Sequence, residues 1–399
     1  SIGTVQVPQF DRDSDNTSLP GVDDYWRSIA MLGFLNAAPT GSRACMVREA
    51  YTEITVTGLV WLNQYTRQLK YDAVYLSELS NFTNLKALTV KDANGLHGLT
   101  DIYALPIETL NLCFQSGRVT LDSGFEFQQL KHLNIYVAKE LDCSHLRNLS
   151  FLAKTTTLES LSVVINSEGC QLASLDGIAG NTALQELNID APVVDFSGLQ
   201  GGKQLVRAEL RNIHAVNLTG FQNSERLEGL KIKRAKNLKD LDGLTRATAL
   251  KSVSLDDCPA LTNVAALKNS AKLECFEYSF YSWSEQAALA SLSGLENATG
   301  LQSIKLKGCM VKDLDPIRSR ATFVCIKLQD LPKLQSIAGL SSAAAFKNPE
   351  QSGFIDNRVQ IENCPMLKCL DGLGPGDGGA GRLSKLSLNK VGVEGLSAL

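Results

Sequence analysis

The chain has 399 residues, 44% hydrophobic and 20% charged, with a formal net charge of −3 and a pI near 5.9. That balance excludes intrinsic disorder, which needs low hydrophobicity and high net charge. No apolar run reaches the roughly 18 to 20 residues of a membrane-spanning helix, and near-neutral charge excludes binding driven by phosphate neutralisation over the whole surface.

Residues 1–50 carry no repeat. Ser1 is not followed by the basic and apolar runs of a signal segment, so the chain reads as processed or excised at this end. The stretch DDYWRSIAMLGFLNA, Asp23 to Ala37, places Trp26, Ile29, Leu32 and Leu35 roughly on one helical face, with Asp23 and Asp24 suited to the first turn. A helical cap is predicted here, shielding whatever follows.

The chain has 60 leucines, and from residue 51 onward they fall into register. The pattern L-x-x-L-x-L, with other apolar residues allowed at the marked places, reads LKALTV from Leu85, IETLNL from Ile107, LKHLNI from Leu130, LESLSV from Leu158 and LQELNI from Leu184. It continues as LVRAEL from Leu205, LEGLKI from Leu227, LKSVSL from Leu250, LECFEY from Leu273, LQSIKL from Leu301, FVCIKL from Phe323 and LSKLSL from Leu383, with a degenerate DNRVQI from Asp356. All steps but one, of 33 residues, are 21 to 28 residues long. Two shorter units, YTEITV from Tyr51 and YDAVYL from Tyr71, are expected to extend the same sheet. A second column of small residues follows each pattern, including Ala235, Cys258, Cys309 and Cys364, and a third reads LDGL, LSGL or similar, ending at Leu244, Leu295 and Leu373. Each coil is therefore predicted to hold one short parallel strand, an inward turn and a tight return segment whose glycine relieves crowding. No coil can bury its own leucines, so stability is a sum over neighbours.

Over residues 85–399 the chain resembles the leucine-rich repeat superfamily. The resemblance implies an α/β-type solenoid, a horseshoe with a concave parallel β-sheet and short helical or irregular convex segments, divided into an N-terminal segment 1–50 and a solenoid 51–399. It also implies a role in binding other proteins. Leu19-Pro20, Ile29, Leu32 and Leu35, followed by ACMVREAY from Ala44, faintly resemble an F-box. That alternative implies the substrate-recognition subunit of a ubiquitin ligase, although Tyr51 stands where a tryptophan is usual.

Nothing in the sequence assembles a catalytic or metal site. His97, His132, His145 and His214 fall at different repeat phases, and no nucleophile has a neighbouring base. Cys258, Cys309 and Cys364 read as packing residues of the inward turn. Cys369-Leu370-Asp371 is explained by the LDGL column, and the glycines of Gly374 to Gly381 do not follow a strand as a phosphate-binding loop requires. No catalytic residue, cofactor, metal or small-molecule substrate is expected. Cysteines do not bracket the repeats, which favours a cytoplasmic, reducing compartment without excluding secretion.

Side chains alternate along a strand, so the third, fifth and seventh residues of each pattern face away from the core. Stacked, they give polar early coils and then cations at Arg207, Arg211, Lys231, Lys233, Lys305, Lys307 and Lys327. Neighbouring strands are about 4.8 Å apart, so these are expected to form adjoining cationic ladders. The insertion EYSFYSWSEQ from Glu277 offers Phe280, Tyr281 and Trp283 as aromatic anchors. The expected function is a non-enzymatic scaffold whose partner is another protein with an acidic surface. The sparse interleaving of aromatics and the net negative charge do not point to nucleic acid.

Overall fold

The computed structural model describes residues 51–394 except 58–59, 63–68, 72–73, 94–95, 116–120, 122–123, 140–142, 144–145, 282–286, 318–324, 343–357, 372 and 374–384. The predicted helical cap and the F-box-like segment therefore lie outside the described residues, as do Trp283 and the glycines of Gly374 to Gly381. The chain falls into two compact units, Ser1–Ala191 and Pro192–Leu399.

In the first unit a parallel ladder runs through β1 (Glu53–Thr57), β5 (Ala87–Ala93), β7 (Thr109–Phe114), β8 (His132–Val137), β9 (Ser160–Ile165) and β10 (Glu186–Asp190). Between its first two strands the chain forms an antiparallel pair, β2 (Val60–Leu62) with β3 (Leu69–Tyr71), and a short β4 (Val74–Tyr75) that pairs with β6 (Leu96–His97). The second unit stacks β11 (Arg207–Arg211), β12 (Gly229–Lys233), β13 (Ser252–Asp256), β14 (Cys275–Ser279), β15 (Ser303–Lys307), β16 (Cys325–Gln329), β17 (Arg358–Cys364) and β18 (Lys385–Val391), each parallel to the next.

Every strand from β7 onward begins two residues into a predicted pattern, as does β5, and the degenerate Asp356 copy supplies β17. One expectation needs correction. YTEITV forms β1, which pairs in register with β5 (Ile54 opposite Leu88), but YDAVYL contributes no strand to the ladder. Its Leu76 instead leads into the short return turn Ser77–Leu79, so the coil that starts at Tyr51 is a single long one that carries the β2–β3 pair.

Three positions of each pattern fill the interior. In one coil Leu227, Leu230 and Ile232 face Leu238, Leu241 and Leu244, all 2% exposed or less. Full burial of such a side chain contributes about 1.5 to 3 kcal/mol. The inward turn closes on small groups: Cys258 and Cys364 donate weak hydrogen bonds to the carbonyls of Asp256 (3.7 Å) and Glu362 (3.4 Å). Burial pushes the Cys258 and Cys309 thiols up to about 12 and that of Cys364 to about 11, so all three stay protonated.

The return segment is held by a column of side-chain acceptors that the leucine pattern does not reveal. Asn148, Asp195, Asn217, Asp240, Asn263 and Asp313 each accept a hydrogen bond from the backbone N–H two residues on, at 2.8 to 3.3 Å. Ser174, Ser291 and Ser336 do the same through their hydroxyls. These are Asx and Ser turns, which start the 3-10 turns or bends of the return. Next comes the glycine. A Cβ on Gly220 would lie 1.8 Å from the carbonyl oxygen of Phe196, and one on Gly243, at φ +112°, would lie 1.8 Å from that of Leu218. Only glycine lets consecutive coils approach so closely.

In the second unit a residue at or just past the end of every strand except β14 turns left-handed: Asn212, Arg234, Asp257, Gly308, Asp330, Asn363 and Lys390, with φ between 52° and 68°. Amides of this column donate forward to the next coil, as Arg234 does to Asp256 (2.8 Å) and Asp257 to Ser279 (2.8 Å). In the first unit the corresponding bonds run backward, from Ala138 to Phe114 and from Asn166 to Val137. There too Cys143 and Cys170, buried on successive coils, are joined by a disulfide with Cα atoms 4.9 Å apart. The bridge lies inside the repeats and not at their ends.

Two measurements test this account. Asp240→Ala should lower stability by about 1 kcal/mol, as loss of a capping acceptor does, whereas Thr248→Ala, exposed and outside the column, should change it by less than about 0.5 kcal/mol. Reducing Cys143–Cys170, 27 residues apart, should cost about 3 to 4 kcal/mol in denaturant titrations by the loop-entropy relation; an unchanged midpoint would show that the bridge contributes nothing to stability.

Candidate functional site

The residues that a partner can reach on the strands follow from register. In the Ser1–Ala191 unit the middle row reads Thr89, Asn111, Asn134, Ser162 and Asn188, directly opposite one another. It is an uncharged hydrogen-bonded row. Asn111 donates to Thr89 (2.9 Å), Asn134 donates to Asn111 (2.7 Å) and Asn188 donates to Ser162 (3.0 Å). Tyr136 stands beside it, 40% exposed, its hydroxyl accepting from Asn166 (3.1 Å).

In the Pro192–Leu399 unit the same row reads Glu209, Lys231, Ser254, Glu277, Lys305, Lys327 and Gln360, and the neighbouring one Arg211, Lys233, Asp256, Ser279, Lys307, Gln329 and Glu362. The expected cationic ladders are corrected here, because carboxylates are interleaved with the cations. Glu209 takes Arg211 (2.5 Å) and Lys231 (3.1 Å), Asp256 takes Lys233 (3.9 Å), Glu277 takes Lys305, and Asp330 takes Lys307 (3.8 Å). Glu362 is gripped by Gln329 and Gln360, both at 2.7 Å. Two like-charged pairs face each other in these rows, Arg211 with Lys233 and Lys305 with Lys327, and Arg211 turns to Glu209, Lys233 to Asp256 and Lys305 to Glu277. Arg207 begins the patch, exposed at the start of β11.

The insertion after β14 divides its aromatics. Phe280 is buried, 5% exposed, because its carbonyl packs against Gly308 of the next coil and its ring turns into the interior; it is no anchor for a partner. Tyr281 is 66% exposed, and the Lys307 ammonium sits 4.2 Å from its ring centroid, a cation–π contact.

Electrostatics follow the pairing. Burial works against the Glu209 carboxylate, but its hydrogen bonds to Arg211 and Lys231, together with their charges, hold the carboxyl below the usual range. The hydrogen bond to Glu277 raises Lys305. Burial pushes the half-exposed Cys275 thiol up, with the Glu277 charge adding to it, so this strand-face cysteine is not an activated nucleophile. At the head of the strands a further row alternates sign: Glu108 binds Lys86 (3.1 Å) and Lys131 (3.2 Å), and Glu228 binds Lys251 (2.9 Å). No group of three His, Cys, Asp or Glu side chains among the described residues could hold a metal ion, and no described helix is long and apolar enough to cross a membrane.

In both units the same order recurs: a strand with leucines inward, an inward turn, an Asx or Ser turn and an apolar return packed on the preceding coil. Each unit is built from leucine-rich repeats. No family model and no curated protein matches it. Among solved structures, it is similar to an internalin from Listeria monocytogenes (16% identity over 77% of this chain and 92% of that one, TM-score 0.44). It is also similar to a leucine-rich repeat protein of Leptospira interrogans (14%, 90% and 89%, TM-score 0.49) and to a plant peptide hormone receptor in complex with RGF2 (13%, 85% and 52%, TM-score 0.39). The chain spans about half of that receptor.

The interleaved pairs of this leucine-rich repeat surface set its response to pH. Glu209 is lowered in the folded chain, so its contribution is full above the ordinary value of 4.5 and is lost as pH falls through the lower folded value. Glu209→Gln should therefore lower the melting temperature on the neutral plateau and approach that of the parent as pH falls, which flattens the acid limb. An acid limb identical to that of the parent would show that the Glu209 pairs carry no stability.

Proposed function

We propose that the chain is a protein-interaction scaffold that recognises an acidic partner protein across the exposed strand face of residues 207–329. Arg207, Arg211, Lys231, Lys233, Lys305, Lys307 and Lys327 would meet the partner, with Tyr281 beside them and Trp283 proposed as a further aromatic contact. One observation carries the reading: the strands from β11 to β16 carry these seven cations against three carboxylates, Glu209, Asp256 and Glu277, and even with Asp330, which pairs with Lys307 just past β16, three positive charges are in surplus in a chain whose net charge is −3.

The pairs add to this reading. A lysine held by a carboxylate on the neighbouring strand has already given up much of its rotamer freedom, so a partner carboxylate that joins the pair orders little more on binding. Long-range attraction to the surplus charge would raise the association rate and make it salt-dependent. In this reading the protein carries no catalytic step.

The test is affinity capture with mass spectrometry, using the full chain and its Lys231→Glu, Lys233→Glu double variant at low and moderate salt. Both residues are partly exposed, so melting should shift by less than about 1 kcal/mol in equivalent stability. The variant is expected to lose the acidic proteins that the parent retains. Retention of the same proteins, in the same amounts, would overturn the reading.

A further inference from the structure

A second surface of the Pro192–Leu399 unit lies off the strand face, where the chain leaves the strands and begins its return. Five large hydrophobic side chains are exposed among the described residues, and two of them, Val194 (54%) and Val216 (45%), share this edge. They occupy the same place in successive coils, VDFSGL and VNLTGF, and Lys239 of KDLDGL follows in the third. Backbone bonds tie the coils together there: Lys239 N–H donates to Val216 (2.9 Å), His214 N–H to Val193 (2.9 Å) and Thr262 N–H to Lys239 (3.0 Å).

The coil that carries Lys239 also exposes Arg234 and Lys236. Unlike Arg211, Lys231, Lys233, Lys305 and Lys307 on the strand face, none of the three has a carboxylate within salt-bridge distance among the described residues. The acidic residues of the same columns are engaged by their own backbone: Asp195 accepts from Ser197 N–H (2.8 Å) and Asp240 from Asp242 N–H (3.0 Å). Arg234 is also conformationally out of place. It sits at φ 55°, where the neighbouring coils have Asn212 and Asp257, residue types that enter the left-handed region far more readily than arginine. A long cation kept at such a position is a reason to look for what it binds. Asp257 bounds the patch on the next coil.

We propose that this edge is a second binding site, for an acidic protein segment carrying an apolar side chain. Val194 and Val216 take the apolar group, while Arg234, Lys236 and Lys239 meet the carboxylates. Two adjacent valines, with no aromatic ring beside them, offer a base of a nucleic acid nothing to stack on, but they suit a leucine or isoleucine. The site is separate from the strand face, and its existence does not depend on what binds there.

The experiment is fluorescence polarisation of a labelled synthetic peptide of alternating Glu, Asp and Leu against the full chain at moderate salt. Controls are the same peptide with Leu replaced by Ser, the same peptide with its acids replaced by amides, and a labelled single-stranded oligonucleotide. Binding of the acidic Leu peptide is expected to weaken about tenfold or more in the Lys236→Glu, Lys239→Glu variant, a change of 1.4 kcal/mol, and several-fold in Val216→Ser. It should stay within about twofold in Lys231→Glu, Lys233→Glu, since separate sites act independently. All these positions are solvent-exposed or half-exposed, and the far-ultraviolet spectrum and melting point of each variant confirm that it folds. Several results overturn the proposal: no saturable peptide binding, binding indifferent to the edge variants, tighter binding of the oligonucleotide, or sedimentation showing that the edge joins two copies of this chain. Loss in the Lys231, Lys233 variant alone would sink the edge site and leave the strand-face reading standing, whereas loss in the edge variants alone would do the reverse for this peptide.

Discussion

Consecutive coils touch backbone to backbone on two sides. On one side parallel strands share hydrogen bonds, and on the other the return segment passes so close to the preceding coil that a methyl group at Gly220 or Gly243 would meet a carbonyl oxygen. Everything else in the fold serves that spacing. Leucines fill the slot between the two sides, small residues such as Ala235 and Cys258 close it, and an Asx or Ser turn fixes the direction in which the chain re-enters it. A coil is stable only through its neighbours, so the interior tolerates little change and variation is left to the outward positions.

Those outward positions are used differently in each unit. In Ser1–Ala191 the middle row consists of amides and hydroxyls that bond to one another, a surface that adds neither charge nor much apolar area. In Pro192–Leu399 the equivalent row mixes acids and bases, Glu209 beside Lys231 and Glu277 beside Lys305. Exposed pairs of this kind contribute little to stability, roughly 0 to 1 kcal/mol each. Their physical effect is on geometry: a lysine tethered to Glu209 or Glu277 points where its carboxylate holds it.

Much of this was legible in the sequence because the two strongest signals are periodic. A leucine at the first, fourth and sixth places marks a strand wherever it occurs, and even the degenerate copy at Asp356 obeys the rule. The glycine of the return was legible for the same reason. The Asx column was also present in the letters, as Asp, Asn or Ser one place before each return leucine, but a reading tuned to leucine passes over it. The left-handed column could have been found from Asn212, Asp257, Asp330 and Asn363, although Arg234 and Lys390 break the composition. Charge pairing was harder to see. Lys231 and Glu209 are 22 residues apart, and only the strand register makes them neighbours; it keeps Arg211 opposite Lys233 and Lys305 opposite Lys327 but sets Glu209, Asp256 and Glu277 among the cations. YDAVYL misled because its spacing imitates a strand, while its Leu76 belongs to the return of the coil begun at Tyr51. Phe280 misled because an aromatic just past a strand can turn either way, and the close approach of Gly308 leaves it room only inward.

The bridge between Cys143 and Cys170 has a consequence for how the chain acquires this structure. Contacts between coils span about one repeat, so folding proceeds by adding one coil to another at a modest loop-closure cost each time. The first such step is the hardest, because two unformed coils have no template. A covalent link across 27 residues holds that one pair within reach even when the rest is unravelled. The oxidised and reduced chains can thus arrive at one native structure and still differ in where refolding begins, the oxidised chain starting from a seed already in place between β8 and β10.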